Sequence, residues 1–305
     1  MKKPSEETLQ RTTRTRPSSR GRVVLVSGDV ALFKLVYEFR LLRREHLSAL
    51  TGRPSKRLHR RLLTLVRSRY LTNIKLPQQK HIYGLGPLAL PVLVEDGAAD
   101  PDMLAQRSRV HELKELFLKH EMMVVDLHAM LALATRGHDL RLVAWREGME
   151  LYDSVTVSDH DGQKKLSVRP DAFFTLEDSR RLPGANQAHF FLEADRSTET
   201  QPRFRDKIRA YWHYIEEGLH RQKFGIRNVR VLTVAKTNER AKNLALLAGM
   251  LLPERARKYY YFSSLNNFSL ENPSPILEAV HLSPRDAERR YRLVPPPGLV
   301  AAEAV

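Results

Sequence analysis

Arg169-Pro170-Asp171-Ala172-Phe173-Phe174 and, further on, Phe190-Phe191-Leu192-Glu193-Ala194-Asp195-Arg196 carry most of what this chain says about itself. Each reads as a buried strand with carboxylates where an apolar side chain would be expected. Side chains alternate along a strand, so Glu193 and Asp195 project to the same face. If the two strands pair as a hairpin, Asp171 joins them in a cluster of three acids. Uncompensated carboxylates do not sit together cheaply. Such a cluster holds a divalent cation, meets a basic ligand or shares a proton. The first option is the chemistry of phosphodiester cleavage, which makes nucleic acid the first partner to consider.

Charge points the same way. The 305 residues hold 51 Lys+Arg against 35 Asp+Glu, a formal net charge of +16. That excess attracts polyanions, with an affinity that weakens as salt rises. Hydrophobic content of 42% and charged content of 28% are ordinary for a chain with a real core. The longest apolar run, residues 244–252, is too short to span a bilayer, so no membrane partner is expected. The absence of cysteine excludes disulfides, thiolate zinc sites and cysteine nucleophiles, and fits a reducing cytoplasm. Residues 1–22 hold seven basic residues against two acidic ones and no apolar segment. They read as a flexible basic arm, not a secretory signal.

Helical spacing predicts three short helices after the arm: residues 29–40, with Asp29 as N-cap; residues 43–50, stopped at Thr51-Gly52; and residues 55–67, opened by Pro54. Residues 70–76 and 80–83 then alternate as a small hairpin. Three helices and a hairpin over residues 23–98 describe a winged helix-turn-helix. From Arg53 to Arg69 the chain carries seven Lys/Arg and no acid. Arg53, Lys56, Arg57, Arg60, Arg61, Arg67 and, on the hairpin, Lys80 are therefore the candidate contacts to double-stranded DNA. The plainer alternative is a solvated helix face.

Residues 95–101 are polar and turn-prone, a domain boundary. Beyond it a long helix is expected within residues 104–135, with Leu113, Phe117, His120, Val124, Leu127 and Leu131 on one apolar face and His120 as a satisfied core histidine. Strands are expected at 140–145, 166–176, 188–195, 229–235 and 258–262, with helices at 203–217 and 238–252. That order implies an α+β chain whose second part, residues 103–270, is a mixed sheet with helices on both faces. The Pro-rich residues 271–305 read as a tail over the surface.

Asp171, Glu193 and Asp195 are the candidate catalytic and metal residues. Mg²⁺ suits them, being a hard ion that takes carboxylates, waters and phosphate oxygens. The competing reading is a structural ion pair of Glu193 or Asp195 with Arg169, Arg196 or Lys207. No Gly-x-x-x-x-Gly-Lys loop, His-Glu-x-x-His pair or zinc-finger spacing occurs, so no nucleotide or organic cofactor is expected. Tyr211 sits in the apolar stripe of its helix and reads as packing. Glu147 reads as a strand-end glutamate.

Taken together, Leu118-Lys119-His120, Trp145-Arg146-Glu147, Arg169-Pro170-Asp171-Ala172, the run from Phe191 through Asp195-Arg196-Ser197-Thr198-Glu199, and Lys207 with Tyr211 and Tyr214 resemble the bacterial replication-relaxation family. The resemblance covers residues 30–262. It implies a winged helix followed by a domain similar to the PD-(D/E)XK nucleases, in proteins of plasmids and mobile elements that act in replication or in DNA relaxation before mobilisation. By that resemblance Asp171 matches the first acid of the nuclease pattern and Glu193 the second. Asp195 falls where the pattern has a lysine, and Lys207 on the next helix is the candidate substitute. Three functions follow: a DNA-binding accessory protein, a Mg²⁺-dependent endonuclease or nickase, and a winged-helix transcriptional regulator. Other replication or mobilisation proteins and a second copy of the chain are the further partners.

Overall fold

The computed structural model describes residues 23–74, 80–99, 115–159, 162–197 and 200–297. At the N-terminal end lie α1 (Ser27–Phe39), β1 (Leu42–Arg43), α2 (Arg44–Thr51), α3 (Ser55–Arg67), β2 (Leu71–Ile74), β3 (Ile82–Leu85) and α4 (Ala89–Glu95). The three short strands form one antiparallel sheet in the order β1-β3-β2. Leu32, Phe33, Val36 and Phe39 of α1 pack with Leu58, Leu62 and Leu65 of α3 over this sheet. Gly52 ends α2 in the left-handed conformation (φ 68°), which a glycine adopts without steric cost. Asp29 does not cap α1 from outside, as expected from sequence. It lies inside the first turn and accepts the Val26 N–H at 2.9 Å.

A 20-residue helix follows, α5 (Glu115–Ala134). It is apolar nearly all round because it is buried on two sides. Leu118, Met122, Val125 and Ala129 complete the N-terminal core, while Met123, Val124, Leu127, Met130 and Leu131 pack on the large sheet. Phe117, expected on the apolar face, is 61% exposed. Leu113 lies outside the described residues.

The remaining elements are β4 (Leu140–Arg146), β5 (Asp153–Asp159), β6 (Gly162–Val168), β7 (Ala172–Asp178), β8 (Gln187–Asp195), α6 (Gln201–Glu216), α7 (Leu219–Phe224), β9 (Arg230–Ala235), α8 (Asn238–Leu251), α9 (Glu254–Arg257), β10 (Tyr260–Ser264), β11 (His281–Ser283) and β12 (Asp286–Tyr291). Seven strands form a mixed sheet in the order β12-β11-β10-β9-β8-β7-β4, with β8, β9 and β10 parallel and the other pairings antiparallel. Phe190, Leu192 and Ala194 of β8 face the α5 layer; Phe191 faces α6 and α8. Helices on both faces explain why β8 reads as a near-continuous apolar run.

Two expectations fail. Residues 166–176 are not one strand: β6 ends before Arg169-Pro170 and pairs with β5 in a separate two-stranded ribbon, whereas β7 belongs to the large sheet. Pro170 cannot donate to a ladder, which places the break there. Nor is the segment after residue 270 a surface tail. It supplies β11 and the edge strand β12 and buries Ile276, Leu277, Tyr291 and Leu293 in the α5-side core. Among the described residues no helix is long and apolar enough to cross a membrane.

Candidate functional site

The β7–β8 hairpin forms as its sequence implies, with Ala172 opposite Leu192. Asp171 stands one residue before β7, with its N–H on the Leu192 carbonyl at 2.9 Å. Its Oδ2 accepts the Ala194 N–H at 2.7 Å, and its Oδ1 lies 2.9 Å from Nε2 of His120 on α5. That bond raises the His120 pKa above its ordinary value, against the opposing effect of burial. His120 is thus no core histidine. It is 31% exposed and lines the same cleft as the acids.

Glu193 is 4% exposed. Lys207 and Tyr211 stand four residues apart on α6, so both reach down the same helix face. Lys207 Nζ lies 2.7 Å from Glu193 Oε2, and the Tyr211 hydroxyl donates to Oε1. Burial pushes the Glu193 carboxyl up to about 7, Lys207 opposes this, and the nearby Asp171 charge adds to it. Burial and the Glu193 charge drive the Tyr211 phenol upward in turn. Tyr211 therefore packs, as its stripe implies, and also serves as a hydrogen-bond donor.

Asp195 is 7% exposed and turns to different partners. Its Oδ1 accepts the Ser197 N–H at 2.6 Å, and its Oδ2 accepts Nε of Arg240, in the first turn of α8, at 2.7 Å. Glu193 and Asp195 do share a sheet face, as the period of two requires. Each nevertheless has its own counterion.

Asp171, Glu193 and Asp195 line one open cleft of about 250 Å³, together with His120 and Lys207. Arg169, Arg196 and Arg203 complete its rim. The oxygen chemistry suits Mg²⁺, but every carboxylate oxygen already accepts a hydrogen bond. Among the described residues no group of three His, Asp or Glu is placed to hold a metal ion. As arranged, these residues do not fit a resident Mg²⁺. Glu147 lies elsewhere, bonded to Trp145 Nε1 at 2.5 Å and 3.7 Å from Arg40.

On α3, Lys56, Arg57, Arg60 and Arg67 are exposed and make no ion pair among the described residues. Arg61 is different. Its guanidinium straddles the buried Asp29 and reaches the Val24 carbonyl at 2.9 Å. Burial works against ionisation of Asp29, yet the Arg61 and Val26 hydrogen bonds hold its carboxyl below the usual range. Arg53 lies against Gly28, where a Cβ would sit. Lys80 is 3.5 Å from Glu45.

The model of the replication-relaxation family matches residues 33–229, from within α1 to the approach of β9. The chain belongs to the replication-relaxation family. The match takes in both the N-terminal sheet and the β7–β8 hairpin, so membership spans α3 and the acidic cleft together. It supports a role in replication or mobilisation for this replication-relaxation protein. No curated protein and no solved structure matches the chain.

Two partners of these acids were not assigned to the cleft from sequence: His120 was read as a core histidine, and Arg240 was not singled out. His120 carried one signal: Lys119-His120-Glu121 interrupts an otherwise apolar run. Arg240 carried none, since nothing in Asn238-Glu239-Arg240 tells which strand end that turn will meet.

Proposed function

We propose that this chain is a double-stranded-DNA-binding accessory protein of replication or mobilisation. Residues 23–98 form a winged helix in this reading, with α3 as the recognition helix and β2–β3 as the wing. Residues 103–270 form a PD-(D/E)XK-like unit whose strand lysine is replaced by Asp195. The observation that carries the proposal is the exposed row Lys56, Arg57, Arg60 and Arg67 on a helix whose own sequence holds no acid. Such a face meets phosphates and base edges in a major groove.

Arg61 leaves the contact set proposed from sequence, since its charge is spent on Asp29. The test is duplex binding as a function of salt, by the wild type and by Arg57→Ala/Arg60→Ala. Losing two phosphate contacts lowers the slope of log K against log salt by about 2. An unchanged slope removes the recognition helix from the account.

A metal-dependent nickase is the second reading. It draws on the convergence of Asp171, Glu193 and Lys207 in one cleft. Supercoiled plasmid with Mg²⁺ or Mn²⁺ separates the two. No nicking is expected of the accessory protein. Nicking that disappears in Asp171→Ala makes the chain an enzyme.

A further inference from the structure

The cleft at the end of β8 has its charges in two tiers. The anions are deep: Glu193 and Asp195 are nearly buried, and Asp171 has both oxygens engaged. The cations are shallow. Arg169 and Arg203 are exposed at the rim, with the Arg169 guanidinium 5.5 Å above the Tyr152 ring. Among the described residues that line the cleft, four Lys/Arg (Arg169, Arg196, Arg203 and Lys207) stand with three carboxylates, before His120 is counted. A group entering from solvent meets positive charge first.

We infer that this cleft takes a phosphate group of DNA directly on its own cations, with no bridging metal ion. The inference rests on the DNA-binding reading above and names a second contact surface for the same partner. In it the carboxylates are internal counterions that hold Lys207, Arg240 and His120 in place. A metal ion would have to displace Lys207 from Glu193 and Arg240 from Asp195, leaving cations beside the incoming charge. A phosphate leaves both of those pairs in place: it adds acceptor oxygens beside the exposed Arg169 and Arg203 guanidinium groups, and Arg is suited to that geometry. A cleft of about 250 Å³ admits such a group.

The test uses the full chain, fluorescent duplex DNA and two buffers, one with EDTA and one with Mg²⁺, with comparisons made within each buffer. Arg169→Ala/Arg203→Ala is expected to lower the salt slope by about 2 in both buffers. Arg169→Lys/Arg203→Lys, which keeps the charge, is expected to retain most of it. Titration of the protein with Mg²⁺ alone is expected to give no stoichiometric binding. A slope unchanged in EDTA, or lowered only in Mg²⁺, overturns the inference. So does stoichiometric Mg²⁺ binding that Asp171→Ala abolishes. If Arg57→Ala/Arg60→Ala binds like the wild type while the rim pair is weakened, the recognition-helix reading fails and the cleft stands. The reverse pattern sinks the cleft alone.

Discussion

Arg61 on α3 and Asp29 on α1 form a two-pronged ion pair, Nε to Oδ1 at 2.8 Å and Nη2 to Oδ2, around a carboxylate that is almost wholly buried. The pair ties the candidate recognition helix to the first helix. Removing one partner of a buried pair leaves the other charge uncompensated, which is the costly case. Arg61→Ala is expected to lower the unfolding free energy by roughly 2–3 kcal/mol, discounted for the partial exposure of the arginine. Pairing depresses the Asp29 pKa, so this contribution is present at neutral pH and lost as pH falls through the carboxylate range. Urea denaturation at pH 7 and in acid should show the wild-type advantage shrinking.

Glu193 behaves in the opposite sense. Its pKa is raised, so the folded state holds a proton that the unfolded state has released, and stability declines as pH rises from the ordinary carboxylate range towards 7. Lys207→Met removes the charge that opposes this rise, so its stability deficit should widen between pH 6 and pH 9. Glu193→Gln/Lys207→Met is expected to recover most of the loss, because neither charge is then left alone. A double-mutant cycle read by thermal unfolding at both pH values checks it.

His128 lies between the rings of Phe39 and Trp145, each 4.0 Å from it, with Glu38 4.0 Å from its Nε2. Burial lowers its pKa to about 3, and burial lowers that of His281 to about 4. Both take up protons in the unfolded chain near pH 6.5 but not in the folded one. Stability from these two groups is therefore complete above that pH and falls as pH drops below it, by about 1.4 kcal/mol per unit for each histidine. His128→Phe should flatten the acid limb of the stability–pH curve.

Ile276 belongs to the segment after residue 270 and is fully buried against the α5 side of the sheet. Ile276→Ala is expected to cost about 3 kcal/mol, as a large core truncation does. Leu182, 81% exposed, should tolerate the same change within about 0.5 kcal/mol. Chemical denaturation of the two variants compares them directly.

The sequence spoke most clearly where one physical signal dominated. Ser55–Arg67 was legible as a helix because Leu58, Leu62 and Leu65 keep helical spacing and Pro54 opens it. The β7–β8 pairing was legible because both segments are apolar and in phase. The β5–β6 ribbon was missed because its exposed positions, Gln163, Lys164 and Lys165, hide the alternation of Leu166 and Val168. Prolines in the C-terminal segment masked the apolar residues it buries. Of the site, the common placement of Asp171, Glu193 and Lys207 was readable from pattern and resemblance. The Glu193–Lys207 ion pair was the competing reading of the same residues. The pairing of Asp171 with His120 and of Asp195 with Arg240 was not legible, since it is set by contacts between elements distant in sequence.

The double burial of α5 has a consequence for how DNA would be handled. One side of this helix is cemented into the three-stranded unit and the other into the seven-stranded one, while its N-terminal half carries His120 to the cleft. A helix so clamped acts as a rigid axle, not a hinge. It would fix both the spacing and the angular phase between a groove gripped by α3 and the phosphates that arrive at the cleft, so that the choice of a binding sequence also chooses a position along the strand.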